Sequence, residues 1–393
     1  MEISELSARR VDSRNRLLID RVLDRVEAEK KTSIDLTGST VDQAVFDAQA
    51  LKSASNKMMS TMGKEALQYA TSHDYMPLKA EIAERYGLCG LKVEDSNFTV
   101  TNGSTQAVDL ICKVLVDDGD TVLVEKPLHW RFLQAISMYD AKVLEVPALS
   151  DGPDLEVLEK QLETGRPQVY FATPTAQEPG GAVWSMEKRT AVAQLMKEYD
   201  CMFIELDRSG ELMEPGKRPM YMKRLLGDQC ILVGSFSPSL GPGLRIGWVC
   251  TTDKELSGYF NDGKQKTDTH ANGYIQRVLW EYLKDADYAG HASRVCEVYD
   301  AKRATVMKLL DETGLRSHLA LNHQAGTTLW LKLGADKTGA KVFEAAADAG
   351  VLVVPGEMYS LVGDTSGYIA LDYAGASEAQ LRKAFAVLKQ VMM

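Results

Sequence analysis

The chain lacks any uninterrupted apolar run of the about 18–20 residues that a helix needs to cross a bilayer. Its first residues carry charges (Glu2, Glu5, Arg9, Arg10) where a signal peptide would carry an apolar core. These two absences lead to the expectation of a cytoplasmic protein with no membrane partner. Basic charge is not in excess either. A net charge of −10 over 393 residues argues against the electropositive face by which proteins hold nucleic acid or anionic lipid. The six cysteines (Cys89, Cys112, Cys201, Cys230, Cys250, Cys296) form no C-x-x-C pair, and several sit in apolar runs, which reads as buried reduced thiols. The six histidines show neither H-x-x-x-H nor H-E-x-x-H spacing, so no metal is expected. Internal repeats and low-complexity segments are absent too.

What is present is an ordinary globular composition, 45% apolar and 25% charged, on a chain long enough for one large and one small domain. Residues 13–31 read as a charged amphipathic helix, either an arm on a partner subunit or a helix packed on its own chain. Residues 53–86 are helical with a break around Thr71 to Tyr75. Short apolar runs then alternate with helical stretches: Asn97 to Thr101, Thr121 to Val124, Lys142 to Val146, Val169 to Thr173, Met202 to Leu206 and Ile231 to Gly234. That rhythm predicts an α/β fold with a mostly parallel sheet covered on both faces. From about 267 a long helical region leads into a smaller α+β C-terminal domain. The expected division is an N-terminal segment over 1–50, packed on the small domain or a partner, a large domain over 51–285 and a small domain over 286–393.

Two stretches point to an anion. In Gly234 to Trp248 (G-S-F-S-P-S-L-G-P-G-L-R-I-G-W) the hydroxyls of Ser235 and Ser237 and the guanidinium of Arg245 flank a Gly/Pro turn at a strand end. Hydroxyls donate neutral hydrogen bonds and a guanidinium a forked, charge-assisted one, which suits a phosphate. Gly103-Ser104-Thr105 opens a helix, where free N–H groups and the helix dipole favour an anion.

These motifs resemble the fold-type I, pyridoxal-phosphate (PLP) dependent aminotransferases of class I/II. That family reads S-F-S-K-x-L-x-P-G-L-R-I-G-W where this chain has Ser235 to Trp248, with Pro238 at the place of the Schiff-base lysine. Leu67-Gln68-Tyr69-Ala70 and Tyr75-Met76-Pro77-Leu78 are similar to its L-Q-Y-G and G-Y-x-P-L-R. The resemblance spans roughly residues 34 to 390. It implies a seven-stranded, mostly parallel sheet in the large domain. It also implies a phosphate cup of Ser104, Thr105, Ser235, Ser237 and Arg245, and a homodimer in which Tyr69 reaches the partner's cup.

The same comparison of motifs alters the reactive half. The family asparagine beside the cofactor's phenolic oxygen maps to Glu178, the pyridine aspartate to Leu206, the tyrosine three residues on to Ser209, the ring-stacking aromatic to His129, and the carboxylate-binding arginine to Ala370. Proline has no amine for an internal aldimine, and leucine cannot hold a proton on the pyridine nitrogen. Lys217, Lys223, Lys254, Lys264 and Lys266 do not map onto the lysine position. Asp207, next to Leu206 on a strand, is expected to face the other way. His129 and Glu178 are candidate catalytic acid/base groups, in a pocket completed by Gly38, Trp130, Arg208 and Ser209. The leading expectation is a small-molecule enzyme without covalent cofactor, doing cyclisation, elimination, isomerisation or addition, with phosphate or another anion in the cup. The alternatives are an enzyme holding PLP or pyridoxamine phosphate (PMP) non-covalently, and a non-catalytic partner of an active aminotransferase.

Overall fold

A computed structural model describes residues 16–38, 41–69, 74–285 and 288–393. Ala70 and the first fifteen residues lie outside them. The strands, in chain order, are β1 (Ile34–Asp35), β2 (Phe98–Thr101), β3 (Thr121–Lys126), β4 (Lys142–Leu149), β5 (Gly152–Pro153), β6 (Val169–Ala172), β7 (Met202–Asp207), β8 (Cys230–Ser235), β9 (Gly247–Cys250), β10 (Thr328–Lys332), β11 (Val351–Leu352), β12 (Val354–Pro355) and β13 (Tyr368–Asp372).

The large sheet runs β2-β9-β8-β7-β6-β3-β4-β5. Its centre from β8 to β4 is parallel, and β9 is antiparallel to both of its neighbours. Where seven strands were expected there are eight. The extra one is the two-residue β5, which folds back antiparallel on β4 through Ala148 and Leu149. Two residues are too few to carry a period-two pattern.

Burial on both faces makes the central strands nearly continuous apolar runs. On one face Ile204 and Leu206 of β7 and Val233 of β8 pack with Val108 and Ile111 of the helix Ser104–Leu115. On the other, Phe203 and Cys230 pack with Val192 and Met196 of the helix Met186–Glu198. Glu205 lies on that second face, accepting from the N–H groups of Met222 (3.1 Å) and Lys223 (3.0 Å).

The C-terminal part is α+β. A three-stranded sheet, β10-β13-β12, shares one cluster with the helices Gly339–Asp348 and Glu378–Met392. The helix Arg16–Glu29 adds Ile19, Val22 and Val26 to that cluster. β1 pairs in parallel with β11, Ile34 opposite Val351. The described part of the N-terminal segment is therefore packed on its own chain. Among the described residues no helix is long and apolar enough to cross a membrane, and no group of histidine, cysteine and acidic side chains is arranged to hold a metal ion.

Candidate active site

The sheet brings the two anion motifs together at the ends of three adjacent strands. Gly247 of β9 is in register with Thr101 of β2 on one side and with Ser235 of β8 on the other. Having no side chain lets it approach the helix start: a Cβ there would lie 2.8 Å from the Ser104 nitrogen. Gly103 precedes that helix with φ 90°, and a Cβ on it would meet the Arg245 Nη2 at 2.5 Å. The dihedral strains any other residue, and a side chain there would displace the Arg245 guanidinium. Arg245, itself left-handed at φ 54°, donates from Nη2 to the Asn102 carbonyl at 2.8 Å. Ser235 Oγ contacts Ser237 Oγ at 2.9 Å and accepts from the Ser237 N–H at 3.1 Å. Ser104 and Ser235 are buried, and Thr105 follows as the second helical residue, half-buried. The strand register thus brings the Ser235 turn next to the helix start, where the Arg245 guanidinium also lies.

Beyond β6 the chain from Thr173 to Ala182 is buried throughout. Arg189 fixes it, donating to the Pro174 carbonyl at 2.7 Å and to Thr175 Oγ1 at 2.9 Å, while Gln177 Nε2 donates to the Pro127 carbonyl at 2.7 Å. This loop presents Glu178, only 4% exposed. The Glu178 carboxylate is the acceptor in every bond it makes. Arg208 Nη2 donates to Oε1 at 3.0 Å, Arg208 Nε lies 3.0 Å from Oε2, and Ser209 Oγ donates to Oε1 at 2.5 Å. Burial alone would lower the proton affinity of Arg208, but Glu178 and then Asp372 hold it above the ordinary arginine value. Asp372, at the end of β13, accepts from the Ala374 N–H at 2.8 Å. Burial pushes its carboxyl up to about 6, against the opposing pull of that N–H and of Arg208. Gly38 rests against it, since a Cβ there would lie 3.2 Å from Asp372 Oδ2.

His129 caps the helix Trp130–Ile136, its Nδ1 accepting from the Arg131 N–H at 3.3 Å. Burial first, then the nearby charges of Arg208 and Arg131, push its pKa well below the ordinary histidine value. It is therefore a neutral imidazole whose free group is Nε2–H. No hydrogen bond joins it to Glu178 among the described residues. Its ring is nearly parallel to Trp130 (15°) and edge-on to Tyr359 (84°). Trp130 is buried in the small-domain cluster with Tyr359 and Trp330. It is a packed wall, and Arg131 lies over its ring at 4.3 Å.

Pro238 is buried within the one-turn helix Ser237–Leu240, Leu206 is in the core under the helix Ser104–Leu115, and Ala370 is in the small-domain core. Of the five lysines that do not map onto the Pro238 position, four are committed elsewhere. Lys217 pairs with Glu214 (2.8 Å), Lys264 with Asp268 and Lys266 with Asp262 (2.6 Å), and Lys223 Nζ donates to the Cys230 carbonyl at 2.7 Å. Lys254 begins the helix Lys254–Asp268. Tyr69 is 88% exposed and makes an edge contact to the ring of His270.

Sequence reasoning missed Arg131, Tyr359 and Asp372. Asp372 had a signal: it stands two residues after Ala370 on one strand and so shares its face. Arg131 had one too, two residues after His129 in the chain, whereas Tyr359 had none, because only the tertiary fold puts it beside His129.

The family model described as aminotransferase class I and II matches residues 34–388. Among named relatives, the aromatic-amino-acid aminotransferase 1 of Thermococcus litoralis is 27% identical over 365 residues, covering 90% of this chain and 87% of that protein. The 2-aminoadipate transaminase of Thermus thermophilus is 28% identical over 345 residues, covering 87% and 85%. The crystal structure of α-aminoadipate aminotransferase from Thermus thermophilus, complexed with N-(5'-phosphopyridoxyl)-L-leucine, superimposes with a TM-score of 0.89 at 26% identity, over 99% of this chain and 97% of that one.

Proposed function

Because the chain belongs to the aminotransferase class I and II family, we propose that it keeps the family's anion cup and uses it without Schiff-base chemistry. It would bind a small anionic metabolite and transfer protons on it. The observation that carries this reading is the Glu178–Arg208–Ser209 set beside the cup, with Pro238 at the lysine position.

The cup residues fit a phosphate: a helix start, two serines and Arg245. The ring half does not fit a pyridoxal cofactor. Pro238 offers no amine. Leu206 offers no carboxylate to the pyridine nitrogen. Glu178 offers a phenolic oxygen another negative charge, which repels at such range.

The groups present suit proton transfer. Arg208 and Ser209 fix the Glu178 carboxylate in one orientation and leave a lone-pair direction open on Oε2. Glu178 then takes a proton from the bound metabolite. His129, a neutral imidazole, donates from Nε2–H to charge developing on a substrate oxygen, as preorganised donors do in other enzymes. Arg131, within electrostatic reach of Arg208 and Arg245, offers a second anionic group of the metabolite a place. Elimination, cyclisation, isomerisation and addition all need only these groups. The proposal includes a homodimer in which the exposed Tyr69 reaches the partner's cup.

The test uses purified full-length protein. Incubation with PLP followed by borohydride and intact-mass measurement should show no covalent adduct at the site. Isothermal calorimetry should show inorganic phosphate binding that Arg245→Ala weakens. Comparison of metabolites in cells carrying wild type or Glu178→Gln should show one small anionic compound accumulating in the variant. A reduced PLP adduct on a site lysine would overturn the reading. Stoichiometric PMP bound without a covalent link would replace it with the non-covalent cofactor alternative.

A further inference from the structure

A second cavity, of about 270 Å³, lies behind the anion cup on the opposite face of β7 and β8. Leu206 packs under the helix Ser104–Leu115, so Asp207, its neighbour on the strand, projects the other way, into this cavity. Just beyond the end of β8, Phe236 lines the cavity, between Ser235 and Ser237 of the proposed cup. Its floor is buried and aromatic, made of Tyr86, Phe236 and Trp248, with Trp248 Nε1 donating to the Tyr86 hydroxyl at 3.0 Å. Its mouth is formed by the exposed Glu84, Leu88 and Ser293.

The charged groups of this cavity are unequally matched. Arg85 pairs with Glu211, lies 4.8 Å over the Phe236 ring, and leaves Glu211 also bonded to Ser239. Arg218 donates to the Met213 carbonyl at 2.9 Å and to the Tyr221 hydroxyl at 3.2 Å. Asp207 is 3% exposed, and its carboxylate makes no hydrogen bond of normal geometry, the Tyr221 hydroxyl being the side-chain donor that bears on it. Burial pushes its carboxyl up, and the field of Arg218 and the nearby Tyr221 hydroxyl pull it back toward the charged form. Glu81 and Glu84 add further negative charge to the lining, Glu214 is paired with Lys217, and Arg85 and Arg218 are the cations of the lining among the described residues. A buried carboxylate short of well-placed donors is costly, and a further donor cation relieves that cost.

We propose that this cavity binds a small primary ammonium with an aromatic body, its N–H groups on Asp207 and its ring among Tyr86, Phe236 and Trp248. The size suits it, since a cavity of about 150 Å³ already accommodates benzene. Aromatic walls beside a carboxylate are also the usual setting for a ligand cation.

The experiment is calorimetric titration of the full-length protein with benzylammonium, benzyl alcohol and phenylacetate. Benzylammonium should bind, and the neutral and anionic analogues should not. Asp207→Asn should weaken binding by about ten- to hundredfold, the worth of a charge-assisted bond. Ser293→Trp, an exposed change at the mouth, keeps the proposal testable if Asp207→Asn fails to fold, and it should abolish binding with the melting temperature unchanged. Arg245→Ala, across the sheet, should leave binding intact. Equal binding of benzyl alcohol, retention of affinity in Ser293→Trp, or loss in Arg245→Ala would each overturn the proposal, the last by placing the amine in the anion cup.

Discussion

Replacing Arg208 with methionine removes the cation that holds Glu178 and keeps most of the apolar stem. Glu178 is buried, and after the change only Ser209 Oγ remains on its carboxylate. Breaking one side of a buried ion pair leaves an uncompensated charge and costs about 3–5 kcal/mol, several times the worth of an exposed pair. Arg208 keeps 21% of its side chain exposed, so solvent reaches Glu178 once the guanidinium is gone, and the lower end, about 3 kcal/mol, is the expected loss. For 393 residues an unfolding entropy of about 2.1 cal/mol/K per residue converts this to a fall in melting temperature of roughly 4 °C. The decisive comparison is the double variant Arg208→Met/Glu178→Leu. Removing both charges should restore most of the lost stability, because an apolar pair of similar shape has no buried charge to compensate. Differential scanning calorimetry of wild type, both single variants and the double variant gives the coupling. A single-variant loss no larger than that of an exposed pair, or a double variant less stable than Arg208→Met, would refute the view that this ion pair is a buried, preorganised unit.

Asp372 should give a pH signature. Its carboxyl is raised from 3.8 to about 6 in the folded protein. The proton is therefore held more tightly in the folded state, and the contribution is fully present below pH 4 and lost as pH rises through 6. Asp372→Asn should flatten that part of the stability–pH curve by up to ~3 kcal/mol, and an unchanged difference between the two proteins across this window would refute the assignment. Gly103→Ala should abolish phosphate binding in calorimetry, because its Cβ would meet the Arg245 guanidinium at 2.5 Å and its φ of 90° suits only glycine; retained affinity would show that Arg245 is not in the cup. Tyr69→Phe should weaken phosphate binding with no change in melting temperature, since the ring is exposed in the protomer, and sedimentation as a monomer would remove its basis. Pro238→Lys should form no active transaminase, and recovered transamination would mean that the ring half of the site is intact.

The proposed anion cup can be read from sequence because each of its pieces is a short local motif. Gly103-Ser104-Thr105 starts a helix, and Ser235 to Arg245 is one turn. The strand register through Gly247 only has to bring two such motifs side by side. The sheet was readable for a related reason: strands buried on both faces leave uninterrupted apolar runs such as Cys230 to Val233. β5 was not, being two residues long. The ring side of the site resisted for a different reason. His129, Arg131, Glu178, Arg208, Tyr359 and Asp372 come from five separate segments, and their meaning lies in how they pair. Glu178 read alone is one half of a candidate acid/base pair, and beside Arg208 and Ser209 it is an acceptor already bound. His129 read alone is the other half of that pair with no role fixed, and as a helix cap its Nδ1 is occupied, so only a donor is left. The two candidates that sequence reasoning treated as one acid/base couple therefore separate into a carboxylate that accepts and an imidazole that donates. That division needs no hydrogen bond between them. In the proposed reaction the substrate reaches both, with its anionic end in the cup at Arg245.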